Sequence, residues 1–294
     1  MKVFVALLAL AAISCAENVQ EPLPGNTAYG YLKNIGIPEA ERIRKAEEQN
    51  TRIVGGVPAG VGQYPHQAGL LMSMIGLDGT GVCGASLIST NRLLTAAHCW
   101  FDGLHQAWRI TVVLGSTTLF TGGTRLDTSV VAMHPNWMPQ LARNDIAAIY
   151  LPNPVAFSNT IAPIALPSGA ELNEHFAGST AIASGFVGLF IFSNLDGGIT
   201  SGQVLSHVGL NVITNSACSY GFPLLVQSSN ICTSGIGGVG TCRGDSGGPL
   251  ITNSNERPIL IGITSFGSAL GCESLFPAVY ARVTFFMDFI NQHI

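Results

Sequence analysis

The 294-residue sequence contains few charged side chains and, beyond residue 52, no lysine at all. Charged residues make up 10% of the chain, whereas soluble domains usually contain about 25%. Lys and Arg together number 13 against 17 Asp and Glu, with no basic cluster, which argues against nucleic-acid binding. Because 47% of the residues are apolar, the composition also differs from that of a disordered chain. We therefore expect a folded domain with a large core.

Long apolar runs are also missing: none reaches 18 uninterrupted residues, and a membrane-spanning helix needs about 20. One shorter run, residues 3–13, follows the positive charge of Lys2 and precedes small residues. This pattern is typical of a signal peptide. We predict a signal peptide over residues 1–16 and a secreted protein without a membrane anchor. A buried core helix and a lipoprotein attached through Cys15 are the alternatives.

The charges are concentrated near the start of the chain. Residues 17–52 carry 11 charged side chains, whereas residues 53–294 carry 18, namely seven Arg and 11 acids. A change of composition on this scale separates segments with different roles. We predict a polar leader over residues 17–52, partly helical around residues 39–48, and a globular body over residues 53–294.

The pattern of the body favours an all-β fold. Short runs rich in Val, Ile and Leu recur between turn residues, as in 109–114, 145–151, 204–213 and 258–264. The 35 glycines of the chain supply the turns that many short antiparallel strands require. Residues 284–294 instead have apolar side chains at helical spacing, which predicts a terminal helix.

The cysteines fit an oxidising compartment. Removal of the signal peptide takes Cys15 and leaves six: Cys83, Cys99, Cys218, Cys232, Cys242 and Cys272. An even number after a secretory signal indicates disulfides, with 15 possible pairings. Zinc is the competing interpretation, but the sequence has no C-x-x-C pair and no H-E-x-x-H motif. We expect no metal site.

Three motifs supply the groups of a nucleophilic catalyst. They are TAAHC at residues 95–99, NDIA at residues 144–147 and GDSGGP at residues 244–249. A Ser246 hydroxyl becomes nucleophilic when an imidazole such as that of His98 takes its proton, and the carboxylate of Asp145 would orient that imidazole. The glycines let the N–H groups of Gly244 and Ser246 point at one oxyanion. These residues are the candidate catalytic groups.

Two other functions compete with this interpretation. Residues 244–248 also satisfy G-x-S-x-G, the motif of α/β-hydrolase esterases. Those enzymes have the order Ser, acid, His, whereas the late candidates here are Asp288 and His293, crowded into the terminal helix. The second alternative is a catalytically silent protease-fold binding protein. All three motifs are intact, which argues against it.

The motifs, their order and their separations resemble the trypsin/chymotrypsin family of serine proteases over residues 53–294. In character the body is most similar to digestive chymotrypsins of arthropods, such as those of the insect midgut. The resemblance implies two six-stranded antiparallel β-barrels with the catalytic residues at their junction, and a C-terminal α-helix. It implies the disulfides Cys83–Cys99, Cys218–Cys232 and Cys242–Cys272. It also implies a monomer without cofactor that cleaves proteins and peptides and is open to protein protease inhibitors.

Residues 52–56 (RIVGG) resemble the activation site of the same family. A trypsin-like protease would cut after Arg52 and create an ammonium group on Ile53. A buried ammonium needs a carboxylate partner, which the resemblance assigns to Asp245, and this pair would order the oxyanion loop and the substrate pocket. Since the leader has no cysteine after Cys15, no covalent bond would hold it after the cut.

The resemblance also locates a substrate pocket. Its floor aligns with Gly240 and Thr241, and its walls align with Ser265, Phe266, Gly267 and Ala278. None of these is charged, so we expect a preference for large apolar P1 residues, namely Phe, Tyr, Trp or Leu. Phe266, Val187 and Arg243 depart from the usual family residues. Residues 115–125 lack the paired acids of the family's calcium loop, so we expect no bound calcium.

The missing lysines suggest the working environment. Near pH 10–11 lysine loses its charge, whereas arginine keeps it. A body that uses only arginine keeps its surface cations in an alkaline fluid and offers few sites to trypsin-like enzymes. We therefore expect an alkaline, protease-rich fluid such as that of a gut lumen.

Overall fold

The computed structural model describes residues 23, 25–48, 57–186, 204–237, 240–241, 244–267 and 275–294. Several predictions lie outside these residues: the signal peptide, the bond between Arg52 and Ile53, the Cys242–Cys272 disulfide, Val187 and Arg243. No helix in the described ranges has both the length and the apolar character needed to cross a membrane.

Strands make up most of the regular structure of the body. In chain order they are β1 (Val57–Pro58), β2 (Gln67–Met74), β3 (Thr80–Leu87), β4 (Arg92–Thr95), β5 (Ala107–Leu114), β6 (Thr124–Thr128), β7 (Val131–Met133), β8 (Ala147–Tyr150), β9 (Thr180–Gly185), β10 (Ser206–Ile213), β11 (Asn230–Thr233), β12 (Pro249–Ser254), β13 (Arg257–Phe266) and β14 (Ala278–Arg282). The α-helices are α1 (Ile37–Glu48), α2 (Asn215–Ser219) and α3 (Met287–Asn291). Short 3-10 turns cover Ala97–Cys99, Pro139–Leu141, Gly169–Asn173 and Val283–Phe286, and a π-helical turn covers Leu32–Gly36.

The first sheet has the strand order β6-β5-β2-β3-β4-β8-β7, with antiparallel pairs throughout. Its edge strands β6 and β7 are two parts of one run, separated only by residues 129–130. The run pairs with β5 and then with β8, so the chain itself joins the two edges. At the junction the Thr128 hydroxyl donates to Tyr150 O over 2.7 Å. The sheet therefore forms a barrel of six runs, as the resemblance implies.

The second sheet closes through hydrogen bonds. Its order is β1-β10-β11-β14-β13-β12-β9, and β9 also pairs with β10. Six strands thus form a closed ring, and the two-residue β1 is added at its outside on β10. Closure removes the exposed edges that would otherwise invite pairing with other chains. Two antiparallel β-barrels are confirmed.

The predicted elements agree with the observed ones to within about two residues. The predicted strand at 258–264 is one part of β13, and residues 204–213 contain β10. The terminal helix is shorter than expected, because it begins as a 3-10 turn and ends at Asn291. The last residues are held instead by the first barrel, where Arg92 Nε donates to His293 O over 2.9 Å and Tyr150 Oη lies 2.6 Å from His293 Nδ1.

Two disulfides are present among the described residues, Cys83–Cys99 and Cys218–Cys232. They are the pairings that the resemblance implies for these four cysteines. The first joins β3 to the 3-10 turn that carries His98. The second joins α2 to β11. Both therefore fix short loops to barrel strands.

The leader packs on the body, although its composition suggested a separate polar segment. Helix α1 agrees with the helix expected around residues 39–48, and Ala40, Ile43 and Ala46 form its buried face at helical spacing. Two residues before the helix are buried as deeply: Tyr31 is 2% exposed and Leu32 is fully buried. Both belong to the apolar core of the first barrel. The described part of the leader is thus joined to the body by a buried apolar face.

A buried histidine makes stability depend on acidity. His66 precedes β2, is 4% exposed, and its Nε2 has no hydrogen-bond partner among the described residues. Burial lowers the pKa of His66 to about 4. Below the unfolded-state pKa of about 6.5, the unfolded chain binds a proton that the native state does not. The contribution of neutral His66 to the free energy of unfolding is therefore complete above about pH 6.5 and is lost as the pH falls towards 4.

We expect the free energy of unfolding to fall by about 3 kcal/mol between pH 7 and pH 4 through His66 alone. The measurement is urea unfolding of the full chain carrying Ser246→Ala, which prevents self-digestion. His66→Gln should flatten this part of the pH profile. His175→Gln, at an exposed histidine, is the matched control and should leave it unchanged; equal profiles for the two variants would contradict the assignment.

Candidate active site

Asp145 and His98 form a buried pair at the edge of the first barrel. His98 lies on the 3-10 turn that follows β4, and Asp145 lies just before β8, the strand paired with β4. The pairing of these strands therefore brings the two residues together. His98 Nδ1 lies 2.7 Å from Asp145 Oδ2, and the His98 backbone N–H donates to Asp145 Oδ1 over 2.9 Å. The carboxylate holds both the ring and the backbone of the histidine.

A third donor reaches the same carboxylate from the second barrel. The Ser265 hydroxyl, on β13, donates to Asp145 Oδ2 over 2.6 Å. Asp145 is 2% exposed, and a buried carboxylate is tolerated only when its oxygens are satisfied by such donors. The network therefore fixes the orientation of His98 relative to both barrels.

Ser246 lies on a tight turn between the barrels. Gly244 and Gly247 adopt φ values of +95° and +79°, in the region that favours glycine. A Cβ at Gly247 would also overlap Thr95 Oγ1 and the Gly84 carbonyl oxygen. The Gly84 N–H donates to Ser246 O over 2.7 Å. The turn is thereby fixed against β3 of the first barrel.

The hydroxyl of Ser246 faces a leader residue in the intact chain. The Tyr31 hydroxyl lies near the Ser246 side chain and the Gly244 backbone, and it donates to Val82 O over 2.9 Å. The Tyr31 ring meets the His98 ring edge-on at 4.7 Å between centroids. His98 Nε2 is buried and has no hydrogen-bond partner among the described residues. The contact between nucleophile and imidazole is therefore not made in this state.

The predicted pocket residues line one side of the second barrel. Thr241 Oγ1 lies 3.3 Å from the hydroxyl of Tyr280, which is also 3.3 Å from Thr233 Oγ1. Burial raises the pKa of Tyr280 to about 12, so this phenol is uncharged at neutral and mildly alkaline pH. Ala278 is buried two residues earlier on β14. The described pocket residues thus offer hydroxyls and apolar surface without charge.

Phe266 and Gly267 continue the pocket wall. Phe266 is buried, and its ring packs edge-on against Phe222 at 5.5 Å between centroids. A Cβ at Gly267 would meet no atom of the described residues within 4 Å. The N–H of Gly267 donates to the side chain of Thr27, a leader residue, over 3.2 Å.

A family model described as Trypsin matches residues 53–290. The chain belongs to the trypsin family. It is 37% identical over 249 residues to a collagenase of Hypoderma lineatum, covering 84% of this chain and 89% of the relative. It is 38% identical over 244 residues to brachyurin of Leptuca pugilator, covering 81% of this chain and 97% of the relative. A solved structure of HL collagenase matches with a TM-score of 0.71 and 36% identity, covering 82% of this chain and 97% of the other.

The fold of this trypsin-family serine protease therefore agrees with that of a solved relative. The structure brings together the three residues that the sequence nominated, His98, Asp145 and Ser246, at the junction of the barrels. Gly244 lies on the same turn as Ser246, and the described pocket residues lie beside it on the second barrel.

Three contributions were missed by sequence reasoning. The Ser265 hydroxyl was placed in the pocket wall but donates to Asp145. Tyr280 was not nominated, although the two-residue period of a strand puts it on the same face as Ala278. Asp102 was not nominated either. It is fully buried and accepts hydrogen bonds from the N–H groups of Leu32 and His105 over 2.8 and 2.7 Å.

The turn that carries Ser246 gives a stability prediction. Gly247→Ala combines a positive φ with overlap against the first barrel, so we expect the free energy of unfolding to fall by at least about 2 kcal/mol. Gly209→Ala is the matched control, because a Cβ there meets no atom within 4 Å and the backbone is ordinary strand. Urea unfolding in the Ser246→Ala chain measures both; equal effects would contradict the described turn.

Proposed function

We propose that this protease is a secreted zymogen that, once cut after Arg52, hydrolyses peptide bonds following large apolar residues in protein substrates. Ser246 is the nucleophile, His98 the general base and Asp145 the group that orients the base. Support comes above all from the buried network in which Asp145 receives hydrogen bonds from His98 and Ser265, next to the turn of Ser246. A signal peptide over residues 1–16 and a leader over residues 17–52 complete the proposal.

The reaction follows from these positions. As Ser246 Oγ attacks the substrate carbonyl carbon, its proton passes to His98 Nε2, and Asp145 stabilises the imidazolium through Nδ1. The N–H groups of Gly244 and Ser246 stabilise the oxyanion. His98 then gives the proton to the leaving amine, and the C–N bond breaks to leave an acyl-enzyme. A water molecule, deprotonated by His98, hydrolyses the ester and restores Ser246.

The pocket residues support an apolar P1 preference. Gly240 and Thr241 at the floor carry no charge, and the neutral Tyr280 hydroxyl bonds to Thr241. A Lys or Arg side chain would lose its hydration there without gaining a carboxylate, which is costly. Phe, Tyr, Trp or Leu would bury apolar surface instead. Discrimination within this group is graded, because one methylene contributes only about 1–3 kcal/mol.

For the enzyme cut after Arg52, we expect kcat/KM on a Phe or Leu peptide to exceed that on the matched Arg peptide by at least about 100-fold. A peptide-library digest reads the preference directly, and collagen belongs among the protein substrates because one relative is named a collagenase. Ser246→Ala should lower kcat by at least about 10⁴-fold. A dominant Arg preference would overturn the pocket assignment, and failure of a fluorophosphonate to label Ser246 would favour a silent binding protein.

The same assay, run from pH 5 to pH 11, tests the proposed environment. The body carries seven Arg and no Lys, which supports work in an alkaline digestive fluid such as a gut lumen. Activity should persist well above neutral pH. A maximum in the acidic range would remove this explanation of the missing lysines.

Activation is proposed to act through Asp245. This carboxyl group is 1% exposed, and it lies so close to Gly185 that a Cβ there would overlap it. After cleavage, the ammonium of Ile53 would enter this buried region and pair with Asp245, while the Ile53 side chain contributes apolar burial. The pair would order the turn of Ser246 and the pocket next to it.

Ile53→Gly, in protein verified to be cut after Arg52, should lower kcat/KM by roughly 10- to 100-fold, because the loss of a large buried side chain costs about 1.5–3 kcal/mol. Ile53→Val keeps a branched apolar side chain and should change activity little. The measurement is the initial rate on the Phe peptide; an unchanged rate for the glycine variant would sink the proposed activation step.

A further inference from the structure

The leader contacts both barrels on either side of the candidate catalytic residues. Asn26 Nδ2 donates to Pro139 O and Gln140 O, in the turn between β7 and β8 of the first barrel, over 2.8 and 3.0 Å, and on the pocket side Thr27 accepts from Gly267. Ala28 is fully buried in an apolar cluster with Phe266. The leader therefore covers the pocket wall before it reaches the catalytic residues.

The centre of the cleft is filled by Tyr31. Its ring lies against His98, and its hydroxyl reaches Val82, Ser246 and Gly244. The Gly244 N–H is one of the two donors assigned to the oxyanion. A phenol oxygen thus occupies the region in which a substrate carbonyl would be bound. One side chain therefore lies against the imidazole of His98 and next to the nucleophile and its oxyanion donor.

The leader is bound in a form that the enzyme does not cleave. Gly30 has a φ of +67°, Tyr31 is helical at φ −55° and ψ −48°, and a π-helical turn follows over Leu32–Gly36. Protease substrates bind as extended strands so that a peptide carbonyl reaches the serine. Here a side chain is presented to Ser246 instead, and a phenol has no bond that the serine can cleave.

Helix α1 provides a second anchor, away from the catalytic residues. Ile37 packs against Gly79 at the start of the first barrel's β3. At the other end of the helix, the Glu47 carboxylate accepts hydrogen bonds from the N–H groups of Leu119 and Phe120, over 2.5 and 3.0 Å to its two oxygens. Arg125 adds electrostatic attraction to this carboxylate.

All these contacts are made by leader residues that precede Arg52, so cutting the bond after Arg52 removes none of them. We propose that residues 25–48 form a peptide inhibitor that stays bound to the cut enzyme without a covalent bond, with Tyr31 blocking Ser246 and α1 occupying a separate surface. Full activity then requires dissociation or destruction of the leader after the cut. The proposal rests on the proposed protease function, and it assigns the surface formed by residues 79–82 and 119–121 as the binding site for the helical leader.

The first test does not depend on catalysis. The full chain carrying Ser246→Ala is cut after Arg52 and passed through a gel-filtration column at micromolar concentration. The leader should elute with the body. Adding Tyr31→Ala should weaken binding by at least about 30-fold, so that the leader elutes separately. Lys33→Ala is the matched control, since Lys33 is an exposed neighbour in the same turn, and it should behave like the parent chain.

The second test uses the active enzyme. Immediately after the cut at micromolar concentration, Tyr31→Ala should show at least about tenfold more activity on the Phe peptide than the parent chain, and dilution should abolish the difference. Lys33→Ala should match the parent chain. Glu47→Gln, which leaves the catalytic centre untouched, should also raise the early activity because it weakens the anchor at residues 119–121.

The outcomes separate this proposal from the proposed function. Co-elution of the parent leader and release of the Tyr31→Ala leader would support inhibition even if no peptide were cleaved, a result that would overturn only the protease assignment. Release of both leaders at equal concentration, or equal early activity of the parent and Tyr31→Ala chains, would overturn the inhibitor.

Discussion

The buried carboxylate of Asp145 is the interaction on which the rest of the site depends. Its oxygens face the ring and backbone of His98 from the first barrel and the Ser265 hydroxyl from the second. A charge in this position is stable only while every one of those donors remains in place. The same hydrogen bonds therefore hold the two barrels in place and orient the imidazole of His98. A shift of one barrel relative to the other would also change that orientation.

Much of this architecture could be predicted because its signals are local. A histidine beside a disulfide cysteine, an aspartate at the start of an apolar strand and a serine between glycines are each readable within a few residues. Strand positions followed from runs of branched side chains. What Ser265 and Tyr280 contribute depends instead on which strands pair and on where a hydroxyl points after folding. The contacts of the Ser265 and Tyr280 hydroxyls therefore have no local signature in the sequence.

The leader shows the same limit more clearly. Its charges predicted a polar segment, and α1 indeed carries ion pairs such as Glu39–Arg42 at 2.7 Å. The deciding residues are few and apolar, Tyr31 and Leu32 foremost, and composition averaged over the segment conceals them. Asp102 shows the same limit for a charged residue. A lone acid in a sequence is usually assigned to the surface, but here it is buried and accepts a hydrogen bond from the N–H of Leu32. The roles of Leu32 and Asp102 follow from this contact between residues distant in sequence.

The contact between Glu47 and residues 119–121 also bears on selectivity among related enzymes. In this chain the loop over residues 115–125 has no acidic side chain, and its free amides receive the leader's carboxylate. A relative whose corresponding loop holds the acids of a calcium site would repel the same carboxylate. The negative charge of Glu47 thus matches a loop that offers N–H donors and Arg125. Under the proposed inhibition, this match in charge directs the leader to its own body and away from relatives with an acidic loop.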